Sequence, residues 1–146
     1  MKGYETFDEH IARRVAEDPE YAKAHSIGRP FLHLSLNVWS LRLTQGLTQQ
    51  QLADAAGMKQ PRIATIERDE TNPTLETISR IAYALGVTAS RLLAKPDETL
   101  LASARAVVEA EVAAWSPEKR RAFGLEEDVE EQPPKPAAPK KRRKTA

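Results

Sequence analysis

The sequence predicts an all-α protein, on two observations. Apolar residues recur at the three- and four-residue spacing of a helix face, and glycine, proline and threonine stand where these stretches begin or end. Residues 47–68 show both features: Gly57, which tolerates the positive φ of a tight turn, separates two apolar faces. The first face contains Leu47, Leu52, Ala53 and Ala56, and the second contains Ile63 and Ile66. Two short helices joined by a tight turn are predicted here.

Composition limits the class of protein. The 146 residues carry a net charge of +1 and no cysteine, which excludes a disulfide framework and a thiolate metal site. No apolar run approaches the roughly 20 residues of a membrane span, and the N-terminus lacks an apolar signal segment, so we expect a cytoplasmic protein without a membrane partner. The net charge is −1 over residues 1–30, +2 over 31–95, −6 over 96–132 and +6 over 133–146. The local distribution of charge, rather than the net charge of the whole chain, decides whether the protein binds nucleic acid.

Residues 1–30 are predicted to form an N-terminal helical extension. Within residues 5–25, Asp18-Pro19 breaks a first helix, and Pro19 can start a second short one. The sequence Gly28-Arg29-Pro30 marks the entry to a central domain. The apolar face of the first helix consists of Phe7, Ile11 and Val15.

Residues 31–95 are predicted to form a central domain of five helices. Threonine N-caps and glycine C-caps set most of the boundaries, and Pro61 is expected at the first helical position of the third helix, where a missing N–H costs nothing. In the first helix Leu34, Val38 and Leu41 form the apolar stripe. The five helices run from Phe31 to Thr44, from Thr48 to Gly57, from about Gln60, from Thr74 to Gly86 and from Thr88 to Leu93.

Residues 96–124 are predicted to be a C-terminal helical extension. An alanine-rich helix covers residues 97–115, and a last helical turn capped by Ser116 reaches Phe123. Residues 125–146, first acidic and then rich in lysine and arginine, have the composition of a disordered tail. Three interpretations of the basic run at 140–144 stay open: an arm that contacts phosphates, a solvated tail, or a nuclear import signal.

The central pattern resembles the Xre-like helix-turn-helix family of Cro and phage repressors. The resemblance covers residues 31–93 and depends on many positions that agree in one register. The matching residues are Arg42, Gly46, Leu47, Thr48, Gln49, Leu52, Ala53, Gly57, Gln60, Ile63, Ile66, Glu67, Asn72, Pro73, Leu75, Ile78, Leu85, Gly86 and Val87.

The resemblance implies a DNA-binding role for particular side chains. Gln49 would contact a DNA phosphate and brace Gln60, and Gln60, Pro61 and Thr65 would face base edges. Gln60 suits a bidentate contact with adenine. Pro61 replaces the usual polar residue and offers only an apolar contact. The residues implied to grip the DNA backbone are Arg62, Arg68 and Asn72.

Arg42 and Glu67 match a family pair that ties the first central helix to the third. By resemblance this is a buried structural ion pair, and the alternative is an ordinary surface pair that contributes little.

The N-terminal extension resembles, more weakly, that of antitoxins from HigBA- or RelBE-type toxin–antitoxin modules. The resemblance implies that a small basic ribonuclease toxin docks on this segment, and that the protein represses its own operon as a homodimer. Two alternatives stay open: the segment packs back on the central domain, or it forms the dimer interface. The implied anchors are Phe7, Ile11, Val15 and Tyr21.

Catalytic and metal chemistry find little support in the chain. His10, His25 and His33 have no metal-ligand spacing, and there is no glycine-rich phosphate loop or serine nucleophile elbow, so we expect neither an enzyme nor a cofactor. The predicted function is a homodimeric, sequence-specific transcriptional regulator on a pseudo-palindromic operator, acting as an antitoxin and autorepressor. A stand-alone repressor or activator is the alternative. A third hypothesis, an adaptor that binds protein through the same scaffold, rests on Pro61 and the modest +2 charge of the domain.

Overall fold

A computed structural model describes residues 5–125, which form eight helices. The predicted all-α fold class is confirmed. The helices are α1 (Phe7–Glu17), α2 (Pro19–Thr44), α3 (Gln49–Ala56), α4 (Gln60–Glu67), α5 (Leu75–Leu85), α6 (Ala89–Leu93), α7 (Glu98–Ala113) and α8 (Pro117–Ala122). The prediction of a disordered basic tail falls on residues 126–146, outside the described part of the chain.

The described part of the chain divides into two compact units, with the boundary between residues 110 and 111. In the first unit α3 packs on α4 and α5, and α2 closes the bundle against α4 and α6. Burial of these apolar faces stabilises the unit by about 25 cal/mol per Å². Its largest fully buried apolar side chains are Leu34, Val38, Leu52, Ile63, Ile66, Ile81 and Leu92.

Local sequence sets the boundaries of α3 and α5. Thr48 caps α3 reciprocally, because its hydroxyl accepts from the Gln51 backbone N–H at 3.1 Å while the Gln51 side chain accepts from the Thr48 N–H at 2.9 Å. Gly57 ends α3 at φ +66°, a conformation that strains L-residues with a side chain. Thr74 caps α5 by accepting from the Thr77 backbone N–H at 3.2 Å, without a reciprocal side-chain bond to the Thr74 N–H, and Gly86 ends α5 at φ +72°. The predicted caps at these four positions are confirmed.

The predicted break at Gly28–Pro30 and the helix start at Phe31 are wrong. Helix α2 runs without interruption from Pro19 to Thr44 and contains Pro30. An internal proline removes one backbone hydrogen bond and costs about 3 kcal/mol, which packing elsewhere can outweigh. Here α1 packs on α2, and the later turns of α2 hold Leu34 and Val38 in the core.

A buried asparagine, which the sequence did not single out, joins α2 to α6. Asn37 is fully buried, and its amide N–H group donates to the carbonyls of Leu92 at 2.9 Å and Ala94 at 2.8 Å, with Arg91 at 3.3 Å. These carbonyls lie at the end of α6, where a helix leaves acceptors unsatisfied. Asn37 therefore caps α6 across 55 residues of sequence.

In the second unit, Ser116 caps α8 by accepting from the Lys119 N–H at 3.3 Å. The Trp115 and Phe123 rings lie 5.2 Å apart, and the Lys119 ammonium sits 4.0 Å above the Trp115 ring. These contacts place Trp115 in a small aromatic–cation cluster.

Candidate nucleic-acid interface

The first turn of α4 presents three of the predicted contact residues, Gln60, Pro61 and Arg62. The helix begins at Gln60, and its N-cap residue Lys59 makes no side-chain cap hydrogen bond. Pro61 is the second helical residue, not the first as predicted, but it still lies in the turn where backbone N–H groups lack intrahelical partners. Ile63 and Ile66 bury the opposite face, so Pro61 and Arg62 are exposed.

A hydrogen-bonded chain of four side chains leads from the core to this turn. Arg42 meets Glu67 through two hydrogen bonds, Nε to Oε1 at 2.6 Å and Nη2 to Oε2 at 2.9 Å. Gln49 Nε2 donates to Glu67 Oε2 at 2.9 Å. Gln60 Nε2 then donates to Gln49 Oε1 at 2.8 Å. The structure therefore places Gln49 against Gln60 as a brace.

The Arg42–Glu67 pair is buried, with side chains only 10% and 4% exposed. Arg42 Nη1 also donates to the Leu47 carbonyl at 2.9 Å, so the guanidinium joins the end of α2, the start of α3 and the end of α4. A two-pronged, charge-assisted contact of this kind fixes geometry as well as charge. Removing one partner of such a buried pair typically costs about 3–5 kcal/mol, because the other charge is left uncompensated.

Thr65 is half-buried, and its hydroxyl proton already takes part in a hydrogen bond within the helix. Its Oγ1 donates to the Arg62 carbonyl of the same helix at 2.9 Å. What it presents outward is therefore an acceptor lone pair and a methyl group.

The exposed loop after α4 contains cations and carboxylates together. Arg68 Nε lies 2.9 Å from Glu70 Oε1, with the two side chains 57% and 53% exposed. The hydrogen bond from Arg68 lowers the pKa of Glu70, and the same contact raises the pKa of Arg68. Asp69 adopts φ +56°, which ends α4 in the left-handed region, and Asn72 is exposed further along the loop. The cation proposed to contact phosphate is thus held by a neighbouring acid.

Three of the four predicted N-terminal anchors lie together. Phe7, Ile11 and Val15 line a groove of about 650 Å³ that runs along α2 to the start of α7. Phe7 is 78% exposed, while Ile11 and Val15 are half-buried. Tyr21 is engaged elsewhere, since its ring stacks on His25 at 5.9 Å and the Arg14 guanidinium lies 4.3 Å above it.

Sequence reasoning missed the second contact of Glu67. It assigned Glu67 to Arg42 alone, whereas Glu67 Oε2 also accepts from Gln49. Gln49 and Glu67 both occupy matched positions of the motif, so the motif did point to both residues. The spacing of residues along the chain does not show, however, which side chains form hydrogen bonds with each other. Among the described residues no cluster of three or more His, Cys, Asp or Glu could hold a metal ion. Within the same part of the chain, no helix is long and apolar enough to cross a membrane.

Two short helices joined at a left-handed glycine, with a polar first turn on the second, define a helix-turn-helix protein. The helix-turn-helix family model matches residues 40–92. The HTH-type transcriptional regulator y4dJ of Sinorhizobium fredii is 38% identical over 63 residues, 43% of this chain and 82% of that protein. The chain belongs to this helix-turn-helix family of transcriptional regulators.

Two further relatives show how far the similarity extends. Control protein C.SmaI of Serratia marcescens is 39% identical over 62 residues, 42% of this chain and 74% of that protein. The immunity repressor protein of Bacillus phage phi105 is 40% identical over 62 residues, 42% of each chain. No solved structure matches the chain. The similarity therefore concerns less than half of the sequence, and the terminal segments have to be interpreted from their own residues.

Proposed function

We propose that the protein is a sequence-specific DNA-binding regulator that inserts the first turn of α4 into the major groove. The observation that carries this is the chain from Arg42 through Glu67 and Gln49 to Gln60, which fixes a polar amide at an exposed helix start. A short helix braced in this way is how helix-turn-helix proteins present base-reading side chains. Residues 31–95 form the DNA-binding domain in this proposal.

Each side chain of this surface then has a distinct role. Gln60 and Thr65 read base edges, and Pro61 makes an apolar contact such as that with a thymine methyl group. Gln49 contacts phosphate beside its brace to Gln60. The residues that position the protein on the backbone without reading sequence are Arg62, Arg68 and Asn72.

The protein acts in the cytoplasm as a homodimer on a pseudo-palindrome in this proposal. A two-fold dimer presents two copies of α4 to half-sites about 34 Å apart, one helical turn of DNA.

The test compares variants on the DNA upstream of the protein's own gene. A footprint should show two half-sites about one helical turn apart. Gln60→Ala should cost roughly 1–3 kcal/mol and relax preference at one base pair per half-site. Arg68→Ala should weaken binding to all sequences alike. An unchanged footprint and affinity for Gln60→Ala would show that α4 is not the recognition helix.

We further propose that the regulator is an antitoxin whose α1 docks on a small basic ribonuclease toxin. The supporting observation is the apolar side of α1, where Phe7 is 78% exposed beside the half-buried Ile11 and Val15. A large aromatic residue left in water on a short helix favours a partner surface. Purification of the full chain from its native host at endogenous expression should yield a stoichiometric small basic protein.

The second candidate is a stand-alone repressor with no toxin partner. The half-burial of Ile11 and Val15 along α2 favours it, since those residues already pack within the chain. In that case the same purification yields the protein with copies of itself alone.

A further inference from the structure

We propose that the groove beside α1 is a binding site for a small amphipathic carboxylate, that is, a carboxylate group on an apolar body. The groove has a volume of about 650 Å³ and is lined by α1, by α2 and by the segment from Lys95 into α7. Small-molecule sites in proteins usually measure about 300–1,000 Å³. The inference goes beyond the proposed function, because it requires neither DNA nor a toxin partner.

Most of the groove lining is apolar. Phe7, Ile11 and Val15 of α1 form one side, and α2 contributes Leu32 and Leu36. The side chains of Phe7 and Leu32 are 78% and 48% exposed, so part of this apolar surface is in contact with water. A ligand with an apolar body would remove that surface from water, which favours binding.

Two cations in the same lining have no ion pair and no side-chain hydrogen bond within residues 5–125. Arg29 lies in α2, and Lys95 lies in the connection between α6 and α7. Both are exposed, and each therefore keeps its hydrogen-bond donors for a ligand. The guanidinium of Arg29 suits a carboxylate in particular, because its planar fork can donate two parallel N–H bonds to the two oxygens.

The two acids that line the groove do not cancel this positive charge at Arg29. Asp8 stands in the first turn of α1 and Glu98 in the first turn of α7. The dipole of each helix favours a carboxylate at that end. Arg29 stands far from either end of α2 and receives no such compensation. An uncompensated cation beside an apolar surface is the complement of an amphipathic anion.

A half-buried histidine brings the two cations to the same stretch of the groove. His33 lies one helical turn after Arg29 on α2, and its Nδ1 donates to the Leu93 carbonyl at 3.3 Å, since a carbonyl can only accept. Leu93 is two residues before Lys95. This contact holds the segment that carries Lys95 beside the turn of α2 that follows Arg29, and we assign both cations to one carboxylate group.

The test is isothermal titration calorimetry of the full-length protein with three probes. Decanoate carries both a carboxylate and an apolar body. Acetate carries the carboxylate alone, and decyltrimethylammonium carries a similar body with the opposite charge. We expect saturable binding of decanoate, with one molecule per chain, and no binding of the other two probes.

Substitutions of the cations locate the carboxylate. Arg29→Gln and Lys95→Gln should each weaken decanoate binding by about two- to fivefold, the range of an exposed ion pair. Lys23→Gln is the matched control, because Lys23 is an exposed cation of α2 outside the groove lining, and it should leave decanoate affinity unchanged.

A substitution that fills the groove locates the apolar body. Ala12 is exposed and lines the groove, so Ala12→Trp places a large side chain there and should abolish decanoate binding. Ala16→Trp is the control, because Ala16 lies one turn later on α1, is also exposed and is not part of the lining. Thermal melting of each variant separates a loss of binding from a loss of fold.

Three outcomes would overturn the inference, and none of them bears on DNA binding. The first is a wild-type protein that does not bind decanoate. The second is equal affinity for decanoate and decyltrimethylammonium, which would show that the cations play no part. The third is decanoate affinity that is unchanged in both Arg29→Gln and Ala12→Trp, which would place the ligand elsewhere. If decanoate fails to bind and Ala12→Trp, but not Ala16→Trp, prevents recovery of a small basic protein from the native host, the groove belongs to a protein partner instead.

Discussion

Arg68 is a single cation whose availability to DNA is set by one neighbouring carboxylate. Glu70 is ionised at neutral pH, because the Arg68 hydrogen bond holds the pKa of Glu70 below its ordinary value of 4.5. We predict that Glu70→Gln raises affinity for DNA of any sequence, since it frees Arg68 and removes a charge that repels phosphate. One added phosphate contact should steepen the log–log dependence of the binding constant on salt by about 0.9.

Fluorescence anisotropy between low and physiological salt measures both effects of Glu70→Gln. Glu17→Gln on α1 is the control, because it removes the same charge from an exposed ion pair with Arg13, outside α4 and its following loop. Equal salt slopes for Glu70→Gln and the wild type would show that Glu70 does not limit the contact between Arg68 and phosphate.

Asn37 is the residue on which the attachment of α6 depends. Asn37→Asp replaces a donor aimed at three backbone carbonyls with a buried acceptor, and the carboxylate would lie among oxygens. We predict a loss of about 3 kcal/mol or more in the free energy of unfolding. Urea denaturation followed by circular dichroism measures it.

Ser40→Ala is the matched control for Asn37→Asp. Ser40 is equally buried on α2, but its hydroxyl bonds only to carbonyls of its own helix, at 2.7 Å to Leu36 and 3.3 Å to Asn37. It should cost about 1 kcal/mol or less. Similar losses for both variants would mean that Asn37 contributes burial alone and does not cap α6.

At the residue scale, the sequence predicted which residues form the candidate site better than it predicted the hydrogen bonds between them. The resemblance to the helix-turn-helix family pointed to Arg42, Gln49, Gln60 and Glu67, because each occupies a matched position of the family's motif. The role of Asn37 was not predictable, since its three acceptors lie more than 50 residues away and become acceptors only once α6 is packed.

Among the elements, α2 is where local sequence and tertiary packing disagree. Pro30 stands inside a 26-residue helix that continues on both sides of it. We predict that Pro30→Ala raises the free energy of unfolding by about 1–3 kcal/mol, because it restores one backbone hydrogen bond and removes a steric clash. Urea denaturation tests this directly.

A free energy of unfolding that does not rise in Pro30→Ala would indicate that α2 is not continuous through residue 30. If a helix instead began at about Phe31, Pro30 would stand at its start, where proline is favourable. Alanine would then be neutral or destabilising. Ala24→Pro, six residues earlier and at an exposed position of α2, is the converse control and should destabilise a continuous helix.

Boundaries set by a single residue type were predictable, and the continuity of α2 was not. Thr48, Gly57, Thr74 and Gly86 act through their own backbone and side chain, so their effect can be read from sequence. Whether a helix crosses Pro30 depends on the contacts of α1 and of the core with α2, and these are long-range. Helix boundaries could therefore be predicted from the sequence where a residue at the boundary itself causes them.

For the whole molecule, the proposed function divides two activities between α1 and α4, and substitutions should separate them. Phe7→Ser removes an aromatic ring that is 78% exposed, so it should abolish recovery of the small basic partner while the protein stays folded and its operator affinity is unchanged. Gln60→Ala should lower operator affinity and leave recovery of the small basic partner intact.

Tyr83→Ser is the control for Phe7→Ser. Tyr83 on α5 is a similarly exposed aromatic residue, 86% accessible, and its replacement should leave partner recovery intact. Partner recovery by endogenous-level pull-down and operator binding by anisotropy are measured on the same preparations. Loss of the partner in both aromatic variants would indicate general surface stickiness, and retention in both would assign Phe7 to the protein's own packing or dimer interface and favour the stand-alone repressor.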